Sequence, residues 1–316
     1  MAVPYTSFGT VLGVGQESTY GTAAARGVWF PVIRSGLQRK PRWVPRATIS
    51  ESTTSRNRRG KFLAEDMAGG PVTLEMTYEG FGYWLKHLLG QVSTAGTGPY
   101  VHTFSLSRAL PTGLTLEEIR GDSGSSEVFN GCKVGKGTIT VEAGKVVTFA
   151  ADIIARTSGG RVAAGTATHT TSRDLPLVFS EAGSILWNAL TLGASKLEFA
   201  IDNKVATRLQ VGSAETKEPT PSDAMDVLVS VDVEYTEETM WTAFLAGTTS
   251  DLTVTFTSGA RSLAVNANAA YIESMSDPIE GNGIIKRSVT FRCTADAGSE
   301  GFTIALTNTQ SDAVAA

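Results

Sequence analysis

The chain contains one short segment twice. Residues 78–90 read YEGFGYWLKHLLG and residues 235–247 read YTEETMWTAFLAG, and each copy follows an alternating run, VTLEMTY at 72–78 and VSVDVEY at 229–235. At a constant offset the identical pairs are Tyr78 with Tyr235, Trp84 with Trp241, Leu88 with Leu245 and Gly90 with Gly247. Such a repeat predicts two copies of one supersecondary unit, and it constrains the fold before any motif does.

Each copy reads as a strand followed by a helix. Apolar and polar residues alternate along 72–78 and 227–235, which predicts half-buried antiparallel strands. After each strand, apolar residues at helical spacing predict a short helix, with Trp84 and Trp241 in the core and a glycine stop at Gly90 and Gly247. His87, opposite the apolar stripe, is predicted at the surface.

The length of 316 residues fits two domains of average size. We expect a mainly β fold made of two tandem β-sandwich modules, each with one flanking α-helix. The predicted organisation is an N-terminal arm at 1–30, a first module at 31–160, a linker at 161–173, a second module at 174–306 and a frayed C-terminus at 307–316.

Composition argues against several classes of protein. A formal net charge of −4 gives no general attraction to nucleic acid. The start MAVPYTSFG is unlike a signal peptide, and no apolar run is long enough to span a membrane. Cys132 and Cys293 have no disulfide-framework spacing, so we expect free thiols in a protein made in a reducing cytoplasm, with a disulfide between them as the alternative.

No catalytic constellation emerges from the motifs. GDSGS at 121–125 resembles the nucleophile segment of trypsin-like proteases, but the surroundings of His87 and His102 do not resemble that family's histidine motif. GVGQES lacks the ending of a phosphate-binding loop, and the three histidines have no zinc-site spacing. We predict no enzyme, no cofactor and no metal.

Acidic residues mark the polar face of the strands that precede the helices. We call Glu75, Asp232 and Glu234 the acidic trio. An ordinary solvated strand face explains them equally well on one strand, but the same character in both copies favours function. A surface that lets a polyanion pass without binding it should lack cations, because Lys and Arg contact phosphates.

Two matching loops differ in charge. The loop around 46–61 is basic, whereas its counterpart at 205–224 is mildly acidic. The candidate contact residues are Arg46, Arg56, Arg58, Arg59 and Lys61 in the first loop and Glu215, Glu218 and Asp223 in the second. Three explanations stay open: divergence of exposed loops, electrostatic pairing with neighbouring subunits, and nucleic-acid binding by the arginines.

Several segments resemble a known family. GVGQESTYGT at 13–22, YWLKHLLG at 83–90 and PYVHTFSL at 99–106 are similar to segments of the major tail tube proteins of long-tailed bacteriophages. FAIDNKVAT at 199–207 and GNGIIKRSVTF at 281–291 resemble the second module of that family's two-module members.

The resemblance implies a structural protein of the virion tail. Inner sheets of the modules would join into a ring-shaped barrel, three chains would form a pseudo-hexameric ring, and stacked rings would form a hollow tube. The implied partners are other copies of the chain, a tape-measure protein inside the tube, tail terminator and distal tail proteins at its ends, and double-stranded DNA in passage, with no membrane. The acidic trio would face the lumen and the two loops would lie at subunit or ring contacts.

Two other classes remain as alternatives. A β-rich ligand-binding or adhesin module fits the composition, but it would usually show an exposed aromatic patch or a calcium-type acidic loop. A capsid decoration or tail-terminator protein is closer, although such proteins are usually smaller and unduplicated.

Overall fold

The computed structural model describes residues 5–46, 60–121, 124–163, 175–236, 238–279, 284–295 and 301–314. The first half contains β1 (Val11–Gln16), β2 (Val28–Ser35), β3 (Gln38–Pro45), β4 (Lys61–Glu75), α1 (Gly82–Leu89), β5 (Gly90–Ala95), β6 (Tyr100–Leu106), β7 (Leu114–Ile119), β8 (Ser125–Glu142), β9 (Thr148–Ala155) and β10 (Thr157–Ala163). The second half contains β11 (Ile185–Trp187), β12 (Leu190–Leu192), β13 (Ala194–Asp202), β14 (Val205–Ala206), β15 (Thr220–Pro221), β16 (Asp226–Glu234), α2 (Thr239–Ala246), β17 (Thr249–Ser258), β18 (Arg261–Ser276), β19 (Lys286–Cys293) and β20 (Phe302–Asn308). The predicted mainly β fold is confirmed.

Six strands of the first half close into a barrel. The antiparallel order is β1–β2–β4–β9–β8–β7, and β7 pairs again with β1. Helix α1 packs against β1, β5, β6 and β8. Its Trp84 is fully buried, with ring centroids 6.3 Å from Phe30 and 5.9 Å from Phe149. The predicted core position of Trp84 is confirmed.

The second half repeats the strand pairing of the first. β13 pairs with β16 and β16 with β19, as β2 pairs with β4 and β4 with β9. β18 pairs with β19 and β17, as β8 pairs with β9 and β7. The β5–β6 hairpin has no counterpart among the described residues of the second half. Instead, β20 pairs with β6 on one side and with β18 on the other, and so joins the two halves.

A second joint makes one sheet from both halves. β8 pairs with β13 over seven residues, from Lys136 opposite Asp202 to Glu142 opposite Lys196. The result is an unbroken antiparallel run of eight strands, β2–β4–β9–β8–β13–β16–β19–β18, to which each half contributes four. Buried residues of both halves belong to one apolar cluster.

The prediction that Trp241 lies in the core is wrong. Its side chain is 42% exposed and that of Leu245 is 69% exposed, because α2 packs mainly against β18 whereas α1 contacts four strands. In the second half Trp187 from β11 supplies the buried indole. Its ring centroid lies 5.1 Å from that of Phe291, with the two rings tilted at 57°, and its Nε1–H donates to the Ala270 carbonyl at 3.1 Å.

Both ends of the described chain are more integrated than the sequence suggested. The predicted N-terminal arm includes β1, which is a buried barrel strand. The predicted frayed end from 307 includes Asn308 and Ala313, which are 1% and 3% exposed. Gly82 of α1 packs so closely on the Ala313 carbonyl that a side chain there would collide with it. Residues 161–163 of the predicted linker belong to β10, and residues 164–173 lie outside the described part.

His87 is also buried, contrary to the predicted surface position. The imidazole is 2% exposed, and neither ring nitrogen has a hydrogen-bond partner among the described residues. Burial, with smaller effects from the nearby charges of Lys86 and Lys133, lowers the pKa of His87 to about 3. The ring is therefore neutral in the folded chain at neutral pH.

Candidate assembly surface

The eight-stranded run has one apolar face against the core and one polar face. We call the residues that alternate with the buried ones on β4, β8, β9, β13, β16 and β19 the polar sheet face. The pairing places the whole acidic trio on it, since Glu75 lies opposite Thr148, Asp232 opposite Lys196 and Ser288, and Glu234 opposite Lys286. The sequence alternation therefore assigned the three carboxylates to the correct side of their strands.

The polar sheet face is moderately acidic. Where the eight strands pair with one another, its carboxylates are Glu75, Glu142, Asp152, Glu198, Asp202, Asp226, Asp232 and Glu234. Its cations are Lys136, Lys196, Lys286 and Arg292. Carboxylates thus outnumber cations two to one across this surface.

Some of these charges are paired and others are left free. Asp226 is bridged by Lys204 at 2.9 Å and by Arg292 at 2.6 Å, and these hydrogen-bonded cations lower the pKa of its carboxyl. Asp232 accepts a hydrogen bond from the Ser288 hydroxyl at 2.6 Å. Glu75 and Glu234 form no ion pair with a described residue. The free carboxylates therefore include two members of the acidic trio.

Both ends of the eight-stranded run have an unpaired edge within the described residues. β18 pairs only with β19 from Ile272 to Ser276, and β2 pairs only with β4 from Val32 to Ser35. β18 is the counterpart of β8, and β2 is the counterpart of β13. The two open edges are therefore the same two edges that meet inside the chain at the β8–β13 joint.

The acidic loop crosses the boundary between the halves. Glu215 pairs with Arg156 at 3.1 Å and Glu218 with the buried Lys133 at 2.8 Å. The Asp66 amide donates to the Ala214 carbonyl at 2.8 Å. Two of the predicted contact residues are thus engaged with the first half of their own chain, which sequence alone could not show.

The basic loop is described only at its two ends. The exposed Arg46 lies beside Gly60, since its amide donates to the Gly60 carbonyl at 3.2 Å. The Lys61 ammonium lies 4.6 Å from the centroid of the Trp43 ring. Arg56, Arg58 and Arg59, which we call the arginine trio, lie outside the described residues. Asp223 of the acidic loop is exposed, and its carboxylate accepts from the Ala224 amide at 2.8 Å.

His102 holds the C-terminal strand in place. The ring is fully buried, and it bonds Thr94 through Nδ1 at 2.8 Å. Its Nε2 lies 3.1 Å from Asn308 Oδ1 and 2.9 Å from the Gln310 carbonyl. His102 therefore has a structural role. Next to the GDSGS motif, the Arg120 amide donates to the Ser125 carbonyl at 3.1 Å, and residues 122–123 of the motif lie outside the described part of the chain.

A surface cleft was missed by sequence reasoning. It has a volume of about 600 Å³ and lies between the residues that lead into β1 and the open edge of β2. Arg120 on its floor bonds Glu118 at 2.7 Å and Glu127 at 3.0 Å. The lining comes from five separate parts of the chain that only barrel closure brings together, so no local pattern could have indicated it.

Together, the fold and the polar sheet face define a β protein whose two halves repeat one strand pairing and are joined edge to edge. The family model described as phage tail tube protein matches residues 7–293. The chain therefore belongs to the phage tail tube protein family, and it is a structural component of the virion tail. No curated protein matches it. No helix in the described part of the chain is long and apolar enough to span a membrane.

Proposed function

We propose that three copies form a closed, pseudo-sixfold ring, and that stacked rings form the conduit for double-stranded DNA. The observation that carries the proposal is the β8–β13 joint, because its two edge types recur unpaired at β18 and β2. An edge strand with free backbone groups is a template for pairing with another chain. Closing the ring removes every such edge of the eight-stranded run.

The internal joint also specifies the register between copies. Ser276 pairs with Ser288 as Thr140 pairs with Thr148, and Arg34 pairs with Thr73 as Glu198 pairs with Ser230. Inside the chain Thr140 lies opposite Glu198. By the same geometry, Ser276 of one copy lies opposite Arg34 of the next.

The size of the proposed ring suits its cargo. Three chains with eight strands each give about 24 strands, which at about 4.8 Å spacing and about 40° tilt enclose a backbone circle roughly 48 Å across. With side chains added, the opening still admits a DNA duplex or a tape-measure protein. Tail terminator and distal tail proteins would then meet the end rings of the tube.

The charge of the polar sheet face suits a DNA lumen. Its excess of carboxylates offers phosphates few cations, and Glu75 and Glu234 have no cation at ion-pair distance among the described residues. A lumen of this kind lets DNA slide, because each phosphate–cation contact would add to retention. In this arrangement the acidic trio faces the passing duplex.

The joint between copies can be tested with paired cysteines. Arg34→Cys with Ser276→Cys, in a Cys293→Ser background, is treated with a short thiol cross-linker, since opposite Cβ atoms lie about 5 Å apart. Both residues are exposed in the single chain. We expect covalent rings of three chains on a denaturing gel and hollow striated tubes by negative-stain microscopy.

A matched control uses the joint that the chain already contains. Thr140→Cys with Glu198→Cys has the same geometry within one chain, so it should give only an intramolecular link. Compact monomers without rings, or a cross-linked product that is not a trimer, would contradict the proposal. Because each chain supplies both edges, a ring needs only copies of this chain.

A further inference from the structure

The cleft beside β2 has a filled equivalent inside the chain. At the β8–β13 joint, the end of β8 and its turn lie against the residues that lead into β11. The Ala143 amide donates to the Ser195 carbonyl at 3.1 Å, and the Phe179 amide donates to the Lys145 carbonyl at 3.2 Å. Val141 and Ala143 form one wall of this inner seam, where only about 70 Å³ of space remains.

The cleft has the same surroundings with one wall missing. Its Tyr5–Thr10 side leads into β1 as residues 179–182 lead into β11, and its Val32–Ser35 side corresponds to the β13 side of the inner seam. In the inner seam the missing wall is supplied by the end of β8, and the equivalent strand in the second half is β18. Within one chain, β18 and β2 lie at opposite ends of the eight-stranded run. The end of β18 that would complete the cleft must therefore come from another copy.

We infer that the cleft receives the residues that directly follow β18 in a second copy, Asp277–Ile279, an inference that rests on the ring proposed above. Because Ser276 corresponds to Thr140 in strand register, Ile279 corresponds by count to Ala143 of the inner seam. Ile279 is 79% exposed and Ile284 is 71% exposed in the single chain. An isoleucine at the position where the inner seam has an alanine suits the larger cavity.

The walls of the cleft suit such an occupant. Tyr5 and Ile33 offer apolar surface, being 76% and 53% exposed. Arg34, which forms no ion pair with a described residue, lines the same side and can donate to backbone carbonyls of an incoming loop. Arg120 is held in place by its two carboxylate partners and forms a fixed floor. The arrangement therefore combines apolar contact with hydrogen-bond donors.

A photo-cross-linking experiment tests the occupant. A benzophenone amino acid replaces Ile279 in the full chain, assembled rings are irradiated, and the linked peptides are identified by mass spectrometry. We expect links between copies that map to residues 5–10 or 32–35. If rings form but the links fall elsewhere, this inference is overturned while the ring proposal stands. If the chain stays monomeric under all assembly conditions, both fail.

A matched pair of substitutions gives a second readout. Ile279→Asp should leave the melting temperature of the single chain unchanged, because the side chain is exposed, yet raise the concentration at which rings dissociate by about tenfold or more. Ile279→Val keeps an apolar side chain of similar shape at the same position, so ring dissociation should change little. Equal behaviour of the two variants would overturn the inference, even if both still form rings.

Discussion

The two repeat-related tryptophans offer a matched test of the packing described above. Trp84→Ala removes a fully buried indole, whereas Trp241→Ala removes one that is 42% exposed. A buried indole covers about 200 Å², which at about 25 cal/mol per Å² corresponds to about 5 kcal/mol, near the top of the range for such truncations. Trp241 loses only its covered part and leaves no closed cavity, so we expect about 2 kcal/mol.

Urea unfolding followed by circular dichroism measures both losses of unfolding free energy. The protein is kept at low concentration, so that ring contacts do not add to the stability of α2. Trp84→Phe provides a control, because it keeps most of the apolar volume, and the Trp84 Nε1–H that it removes has no hydrogen-bond partner in the described chain. Its cost should be well below that of Trp84→Ala. Equal losses for the two alanine variants would refute the different packing of the two helices.

Three further predictions concern charge. The unfolded chain protonates His87 near pH 6.5 and the folded chain only near pH 3, so acid favours unfolding. The free energy of unfolding should fall by about 2 kcal/mol from pH 6.5 to pH 5. His87→Leu should remove this contribution to the pH dependence of the unfolding free energy, measured by urea titration at each pH. Lysine at all three positions of the acidic trio should permit tube assembly but slow DNA ejection, more so at low salt; unchanged ejection kinetics would remove the trio from the lumen. Glutamate at all three positions of the arginine trio should abolish tubes while the circular dichroism spectrum stays the same; normal tubes by electron microscopy would exclude a contact role.

The sequence predicted correctly those features that depend on neighbouring residues, such as strand faces and helix ends. The alternation at 229–235 gave the correct strand and the correct face for Asp232 and Glu234, and glycine ended both helices, with Gly247 in the left-handed conformation at φ 63°. The strand β1 was missed because its glycines suggest an extended arm. Gly13 is needed there because a side chain would come within 2.9 Å of the Trp29 ring. That contact is visible only after folding.

Contacts between residues far apart in the sequence explain the error at Trp241 and the ion pairs that the acidic loop forms within the chain. Trp84 and Trp241 have identical spacing, so nothing local shows that Trp187 fills the core of the second half. Likewise, no local pattern shows that the exposed Glu218 carboxylate pairs with the buried Lys133 ammonium of the first half. The charged residues can be read from the sequence, but which of them form ion pairs depends on how the two halves pack against each other.

The position of β20 has a consequence for how the protein is made. Its partner β6 leaves the ribosome nearly 200 residues earlier, so the edge of β6 stays uncovered during most of synthesis. Strands exposed in this way attract other chains, and folding during synthesis proceeds from the N-terminal side. β20 therefore acts as a late closing strand: a nascent chain cannot finish its first module before its second exists, which couples completion of the subunit to its readiness for assembly.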